Sequence, residues 1–436
     1  MVCRTALLLL VLFFSAVAQE RQLTIIHTND LHARFQPDAN GLGGLSYVAA
    51  AIRKEMNGCS HCLLLDGGDM VQGTPVSTLF KGLPSYEVAN LFGFHASAIG
   101  NHEFDYGIPQ LRRFIRKARF PLLCANVVDP QGRLLARPYV IRRVNSLRVA
   151  VVGLLMEDLL SVTAADLVRP YRTLPVVDTV RRYARELSGQ YDVLLVLGHL
   201  LPTDKAALLE SAPEVPAILS GHDHGGVKEP VVKDGRPLVN LQAYGREIGR
   251  LDLFFDPSSR RIVRFHWRRI PVDSRQLAPA PDVATVVARW EKRVSAIVDV
   301  PIGEARKAWR PPELKLLMER AMAEEMKTDL AYMNRGGVRD ILPQGQILAR
   351  HVWNIMPFDN LLVIGRIRGA DVPAQISNGR ALDPAREYTL VTSDYVAKSA
   401  HERKLAGIPD YVQFGPPGPL LRDVLIAWIR KQRVLE

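Results

Sequence analysis

Cysteine is scarce, four in 436 residues, and Cys3 lies in the apolar N-terminal stretch. Cys59 and Cys62, in "CSHC", have no second pair to complete a thiolate zinc site. The motif precedes an apolar run instead of opening a helix, which argues against a redox centre. In an exported chain these two thiols could close a small disulfide, and Cys124 in "PLLCANVV" reads as a buried strand thiol. After the N-terminus no apolar run approaches the ~20 residues that cross a bilayer. The C-terminal "LLRDVLIAWIRKQRVLE" is charged and amphipathic, so it is neither a span nor a lipid-anchor signal. Low-complexity tracts and internal repeats are absent. So is any basic stripe: the formal charge of +11 is scattered along the chain, which argues against a nucleic-acid partner.

What is present divides the chain into parts. A length of 436 residues is too great for one ordinary core. "MVCRTALLLLVLFFSAVAQE" has an early Arg, an apolar centre and Ala16-Val17-Ala18, the pattern of a secretory leader cut after Ala18. The mature protein is therefore expected to be exported, periplasmic or extracellular, with no membrane anchor. Residues 19–270 alternate short β-rich runs with helical stretches such as Ile108–Ala118 and Val177–Leu187, which predicts an α/β layered sheet. Residues 271–300 hold a Pro-rich linker and a helix with Val283, Val286, Val287, Trp290, Val294, Ile297 and Val298 at helical spacing and Asp282 as its candidate N-cap. Residues 301–436 predict a second, α+β domain closing with a helix over Leu420–Ile429.

Five times in the first part a short apolar run ends in metal-ligand residue types. "TIIHTNDLH" carries Asp30 and His32; "LLLDGGD" carries Asp69; "AIGNHEFD" carries Asn101, His102 and Asp105; "LLVLGHL" carries His199; "AILSGHDH" carries His222 and His224. Polar groups just past the C-terminal ends of strands converge on one crevice of an α/β sheet. Carboxylate, amide oxygen and imidazole together suit Mn, Zn, Fe or Co rather than thiolate-loving ions. Any one such histidine is more often a structural residue, and His27, His61, His95, His266, His351 and His401 are left in that class. Five clusters in a shared strand–loop context are not explained that way.

In this order, "HTNDLH", "DGGD", "GNHEFD", "GH" and "GHDH" resemble the calcineurin-like metallophosphoesterases, and more narrowly the exported 5′-nucleotidase family. "NRGGVR" (Asn334–Arg339) and "MPFDN" (Met356–Asn360) resemble that family's substrate motifs. The resemblance implies a four-layer α/β/β/α sandwich followed by a 5′-nucleotidase C-terminal domain that carries the substrate pocket. It also implies two divalent ions, one on Asp30, His32, Asp69 and His224, the other on Asp69, Asn101, His199 and His222. Two such ions clamp the oxygens of an in-line displacement at phosphorus and acidify water. His102 would stand beside them as hydrogen-bond or proton donor, with Asp105 orienting its ring.

For the substrate, the resemblance assigns Arg339 and Arg310 to phosphate and Asn334 to the nucleotide. Phe358 and Tyr395 are assigned to stacking on the base. Beyond Tyr395 the pattern departs from the family, whose glycine-rich GGDGF or GGDGY loop is replaced here by "KSAHERKLAGIPDYVQF". The expected activity is release of phosphate from nucleoside 5′-monophosphates or related nucleotides. The alternatives are a UDP-sugar or 2′,3′-cyclic nucleotide hydrolase, a thiosulfohydrolase-like enzyme of sulfur oxidation, and a non-catalytic binding protein that keeps metals for structure.

Overall fold

A computed structural model describes residues 20–436, so the leader expected at 1–18 lies outside the described residues. Two six-stranded sheets form the centre of the N-terminal part. In the first, Arg21–Thr28, Cys62–Asp66, Ala96–Ala98 and Leu122–Leu123 run parallel, and the hairpin of Glu247–Asp256 and Arg261–Pro271 adds antiparallel strands at one edge. In the second, Leu147–Leu155, Val193–His199, Ala217–Gly221 and Arg236–Val239 run parallel between two antiparallel edge strands.

The side-chain period of two explains the layering. Leu23, Ile25, Leu63, Leu65, Val149, Val151, Leu195 and Leu197 interdigitate between the sheets. Their sequence neighbours point outward under helices. Ile26 and Leu64 meet Leu45–Met56 and Gly107–Lys117 on one side. Leu194 and Val196 meet Val176–Glu186 and Pro202–Ser211 on the other. Both faces of each sheet are therefore covered, which is why these strands read as continuous apolar runs. The architecture is the expected α/β/β/α sandwich.

The helix expected from Asp282 begins at Pro281 and ends at Val298, with Ala280 as its cap residue. Asp282 is not the N-cap: it sits in the first turn and pairs with Arg53 at 2.6 Å. Val283, Val287, Val294 and Val298 join the first part's core, while Arg350 from the C-terminal part holds Glu291 at 2.8 Å and Asp299 at 2.6 Å. The C-terminal part has its own core, in which Pro311–Met326 and Leu421–Gln432 pack through Met318, Met322, Leu425 and Trp428. Arg34 to Asp340 at 2.7 Å, and the Thr78 hydroxyl donating to the Pro357 carbonyl at 2.8 Å, tie the two parts together beside the strand ends. Cys59 and Cys62 are joined as a disulfide and Cys124 is buried. Among the described residues no helix is long and apolar enough to cross a membrane.

Candidate metal centre and active site

All five clusters lie where parallel strands end. Asp30 and His32 follow Arg21–Thr28, Asp69 follows Cys62–Asp66, Asn101 and His102 follow Ala96–Ala98, His199 ends its own strand, and His222 and His224 follow Ala217–Gly221. Both sheets contribute, and the two sets of loops meet in one buried cluster. The backbone there is costly: Asp30, His32, Asp69 and His222 all have left-handed φ, at 51°, 47°, 57° and 88°. Non-glycine residues rarely adopt that region, and each instance costs on the order of 1–3 kcal/mol, so four together mark a site over-determined by its surroundings. Gly100 is needed for a different reason. A Cβ there would fall 2.1 Å from Asp69 Oδ1.

Asp69 is the hub. Its Oδ2 lies 3.1 Å from His199 Nε2, 3.9 Å from His32 Nε2 and 4.0 Å from His102 Nε2. Asp30 Oδ1 lies 3.7 Å from His32 Nε2, 3.6 Å from His224 Nε2 and 3.8 Å from His199 Nε2. His199 Nδ1 donates to the Gly67 carbonyl at 2.8 Å and His32 Nδ1 to that of Val71 at 3.2 Å. Each therefore turns its Nε2 toward the carboxylates, the usual second interaction of a ligating histidine. His32 Nε2 and His224 Nε2 face each other at 3.0 Å. Among the described residues Asn101 Oδ1 and His199 Nε2 are buried without a well-formed hydrogen bond.

These orphaned atoms fit a divalent cation, and so does the charge balance. Burial resists charge on both Asp69 and His199. Their mutual attraction, with His102 acting on Asp69 and Asp30 on His199, holds Asp69 well below the usual carboxylate range and pushes His199 up to about 10. Burial drives His224 down to about 2 and His222 to about 3, and holds His32 well below its ordinary value with help from His224. Burial thus favours the neutral form of His32, His222 and His224, the form that ligates a metal. Three sets come close enough to share an ion: Asp30, His32 and His224; Asp30, Asp69 and His199; and His32, Asp69 and His102.

His102 differs from the rest. Its Nδ1 is 2.7 Å from Asp105 Oδ2, which also accepts from Gln72 Nε2 at 3.0 Å. Burial opposes its protonation, yet Asp105 and Asp69 keep its pKa above the ordinary histidine value. His102, Asp105, Asn101 and His222 open on a cavity of about 440 Å³ between the two parts of the chain, together with Asn334, Arg339, Phe358 and Tyr395. Arg339 Nε and Nη2 are buried with no partner among the described residues, and its guanidinium carbon stands 5.8 Å from the Phe358 ring centroid. Arg310 does not join them. It is exposed at the start of Pro311–Met326, where its backbone N–H donates to Glu313.

Several contributors carry no sequence signal of their own. Glu103, inside "GNHEFD", is buried and accepts from the backbone N–H groups of Gly100, Asp69 and Met70 at 2.7, 3.1 and 3.0 Å. It fixes the Asp69 loop to the Asn101 loop, and burial beside Asp69 raises its pKa to about 7. Asn29 braces Asp30 Oδ2 at 2.7 Å, and Tyr244 lies against His32 and His224.

Known proteins place this geometry. Residues 23–226 match the calcineurin-like phosphoesterase family and residues 295–378 the 5′-nucleotidase C-terminal domain. The chain is 28% identical over 401 residues to the endonuclease YhcR of Bacillus subtilis, covering 81% of this chain but only 33% of that protein. It is 26% identical over 521 residues to protein UshA of Yersinia enterocolitica, covering 97% of this chain and 94% of the other. Among solved structures, a 5′-nucleotidase precursor of Thermus thermophilus has the same fold, with a TM-score of 0.85 at 21% identity over 95% of this chain and 97% of that one. The sulfate thiohydrolase SoxB of Thermus thermophilus shares the fold too, with a TM-score of 0.81 at 17% identity over 95% and 94%. The chain belongs to the 5′-nucleotidase family, with a calcineurin-like phosphoesterase domain ahead of the 5′-nucleotidase C-terminal domain, and it is a hydrolase of phosphoric esters.

Proposed function

We propose that the mature chain is an exported, dinuclear-metal phosphohydrolase that releases phosphate from nucleoside 5′-monophosphates or related nucleotides. Residues 19–270 are its metal-binding part and 301–436 its substrate part, joined through 271–300. Asp30, His32, Asp69 and His224 would hold one divalent ion, and Asp69, Asn101, His199 and His222 the other. When bound, the ions (Mn, Zn, Co or Fe) supply Lewis acidity toward phosphoryl oxygens and acidify water. His102, held by Asp105 through Nδ1, keeps a proton on Nε2 for the oxygen of the leaving nucleoside. The free Nε and Nη2 of Arg339 are a planar fork for phosphate oxygens. Phe358 and Tyr395 line the same cavity and offer rings on which a base stacks. Export is supported by the leader pattern and by the Cys59–Cys62 disulfide, a bond that persists in oxidising compartments.

One observation carries this reading. The His102–Asp105 pair and the unpartnered Arg339 guanidinium open on a single cavity that also contains two aromatic side chains and Asn334. A metal site kept for structure alone needs none of them. The fold shared with the sulfate thiohydrolase supports a second reading, in which a carrier-linked persulfide enters instead of a nucleotide. Metal-reloaded protein is expected to hydrolyse nucleoside 5′-monophosphates faster than UDP-glucose, 2′,3′-cyclic AMP or an aryl phosphate, followed by chromatography of the products. Turnover of the aryl ester with no nucleotide consumed would contradict the nucleotidase reading.

A further inference from the structure

Arg422 is a cation in an unfavourable place. It lies in the first turn of Leu421–Gln432, at the positive end of the helix dipole, and it is only 3% exposed. Its surroundings offset both costs. The guanidinium carbon stands 3.7 Å from the ring centroid of Trp353, which packs against the cores of both parts of the chain. That contact restrains the orientation of the planar fork. From it Nη1 donates to the Phe358 carbonyl at 3.1 Å and reaches that of Met356 at 3.5 Å, and Nη2 donates to Asp359 Oδ1 at 2.7 Å. One buried side chain thus grips the chain before and after Phe358.

The rest of this loop is tied as well. The Thr78 hydroxyl donates to the Pro357 carbonyl, and the Leu421 N–H donates to that of Asn360 at 2.9 Å. Asp394 exchanges two bonds with Leu361: its carboxylate accepts from the Leu361 N–H at 3.0 Å, and its own N–H donates to the Leu361 carbonyl at 2.7 Å. Tyr395 follows directly, so the two rings proposed to stack on the base hang from one bonded frame. The Phe358 ring stands 6.0 Å from the His102 ring, centroid to centroid, and 5.8 Å from the Arg339 guanidinium carbon. A loop free to drift would carry the ring away from both. A stacking group gains most when it is already in place, because no ordering entropy is then lost on binding.

Resting on the nucleotidase reading above, we infer that Arg422 is a positioning residue that presets Phe358 for stacking and thereby sets KM for nucleotides. It touches no reacting atom. Arg422→Lys keeps the charge and removes the fork. It is expected to raise KM for a nucleoside 5′-monophosphate by about tenfold, the size of one lost base stack, with kcat little changed. Glycerol phosphate, which has no ring, should be turned over as in wild type. Comparison with Phe358→Ala separates positioning from general damage. If Arg422 acts through the ring, Arg422→Lys adds nothing in the Phe358→Ala background, whereas damage elsewhere would add in full. An unchanged KM in Arg422→Lys, or the same further rise on top of Phe358→Ala, overturns the inference and leaves the nucleotidase reading standing. If Arg422→Lys does not fold, Asp359→Ala decides, because that carboxylate is exposed and its loss strips the fork of one partner. A smaller rise in KM, absent in the Phe358→Ala background, is then expected, and no rise overturns the inference. Turnover of glycerol phosphate with no mononucleotide hydrolysed removes both.

Discussion

Replacing His102 with alanine is expected to lower kcat for a mononucleotide by about 10²–10⁴, the usual range for a positioned proton donor, with metal content unchanged. The leaving group is a nucleoside alkoxide, a strong base that departs poorly unless a proton reaches it as the P–O bond breaks. In the proposed reaction His102 would supply that proton. Asp105 holds Nδ1 at 2.7 Å, Gln72 holds Asp105 at 3.0 Å, and the two nearby carboxylates keep the ring above its ordinary pKa against the pull of burial. An aryl phosphate with an acidic phenol leaves without help, so the same variant should lose far less activity on it. That split separates proton donation from general damage. Geometry alone allows a different role, since His102, His32 and Asp69 come close enough to share an ion. Metal analysis of the variant decides: loss of an ion together with activity makes His102 a ligand, and retained metal with unchanged kcat removes it from the chemistry.

Asp69→Asn is expected to cost metal at both sites and to lower the Tm of the loaded protein toward that of the stripped protein. Asp69 Oδ2 is within 4.0 Å of imidazole nitrogens from three different loops, and its Oδ1 accepts from the His102 backbone N–H at 2.9 Å. Asparagine preserves the shape and removes the charge that both ions would share. Because metal affinity is coupled to folding, the loss should be visible as a melting shift as well as in the metal count. Equal metal occupancy in wild type and variant refutes the bridging role.

The five clusters were legible because strand ends in an α/β sheet share one rim, so apolar runs ending in Asp, Asn and His already imply convergence. The two-sheet sandwich was expected only from the family resemblance, while the layered α/β character was legible because strands covered on both faces read as unbroken runs such as "VLLVLGH". The positive φ of Asp30, His32, Asp69 and His222 was not, because these are not glycines and the strain comes from tertiary surroundings. Glu103 was hidden by its position, since an acidic residue in the first turn of a helix has a local explanation, and two of its three backbone partners, Asp69 and Met70, lie on another loop. Asp282 misled for the converse reason: Pro281 pre-sets the first helical φ, and the cap falls on Ala280, two residues earlier than the acidic side chain suggests. Arg310 is one of many scattered arginines outside any recognisable motif and is exposed, whereas Arg339, carried by "NRGGVR", is half-buried with its Nε and Nη2 enclosed.

The clustered carboxylates, asparagine and imidazoles are proposed to hold two divalent ions on which phosphate release depends. The most direct test of that dependence is titration of Mn²⁺ into chelator-stripped protein while phosphate release from a nucleoside 5′-monophosphate is followed in the same samples. Release should be absent at the start, rise with added metal and saturate at two equivalents per chain. Full activity in the stripped protein, or saturation at a single equivalent, would contradict it.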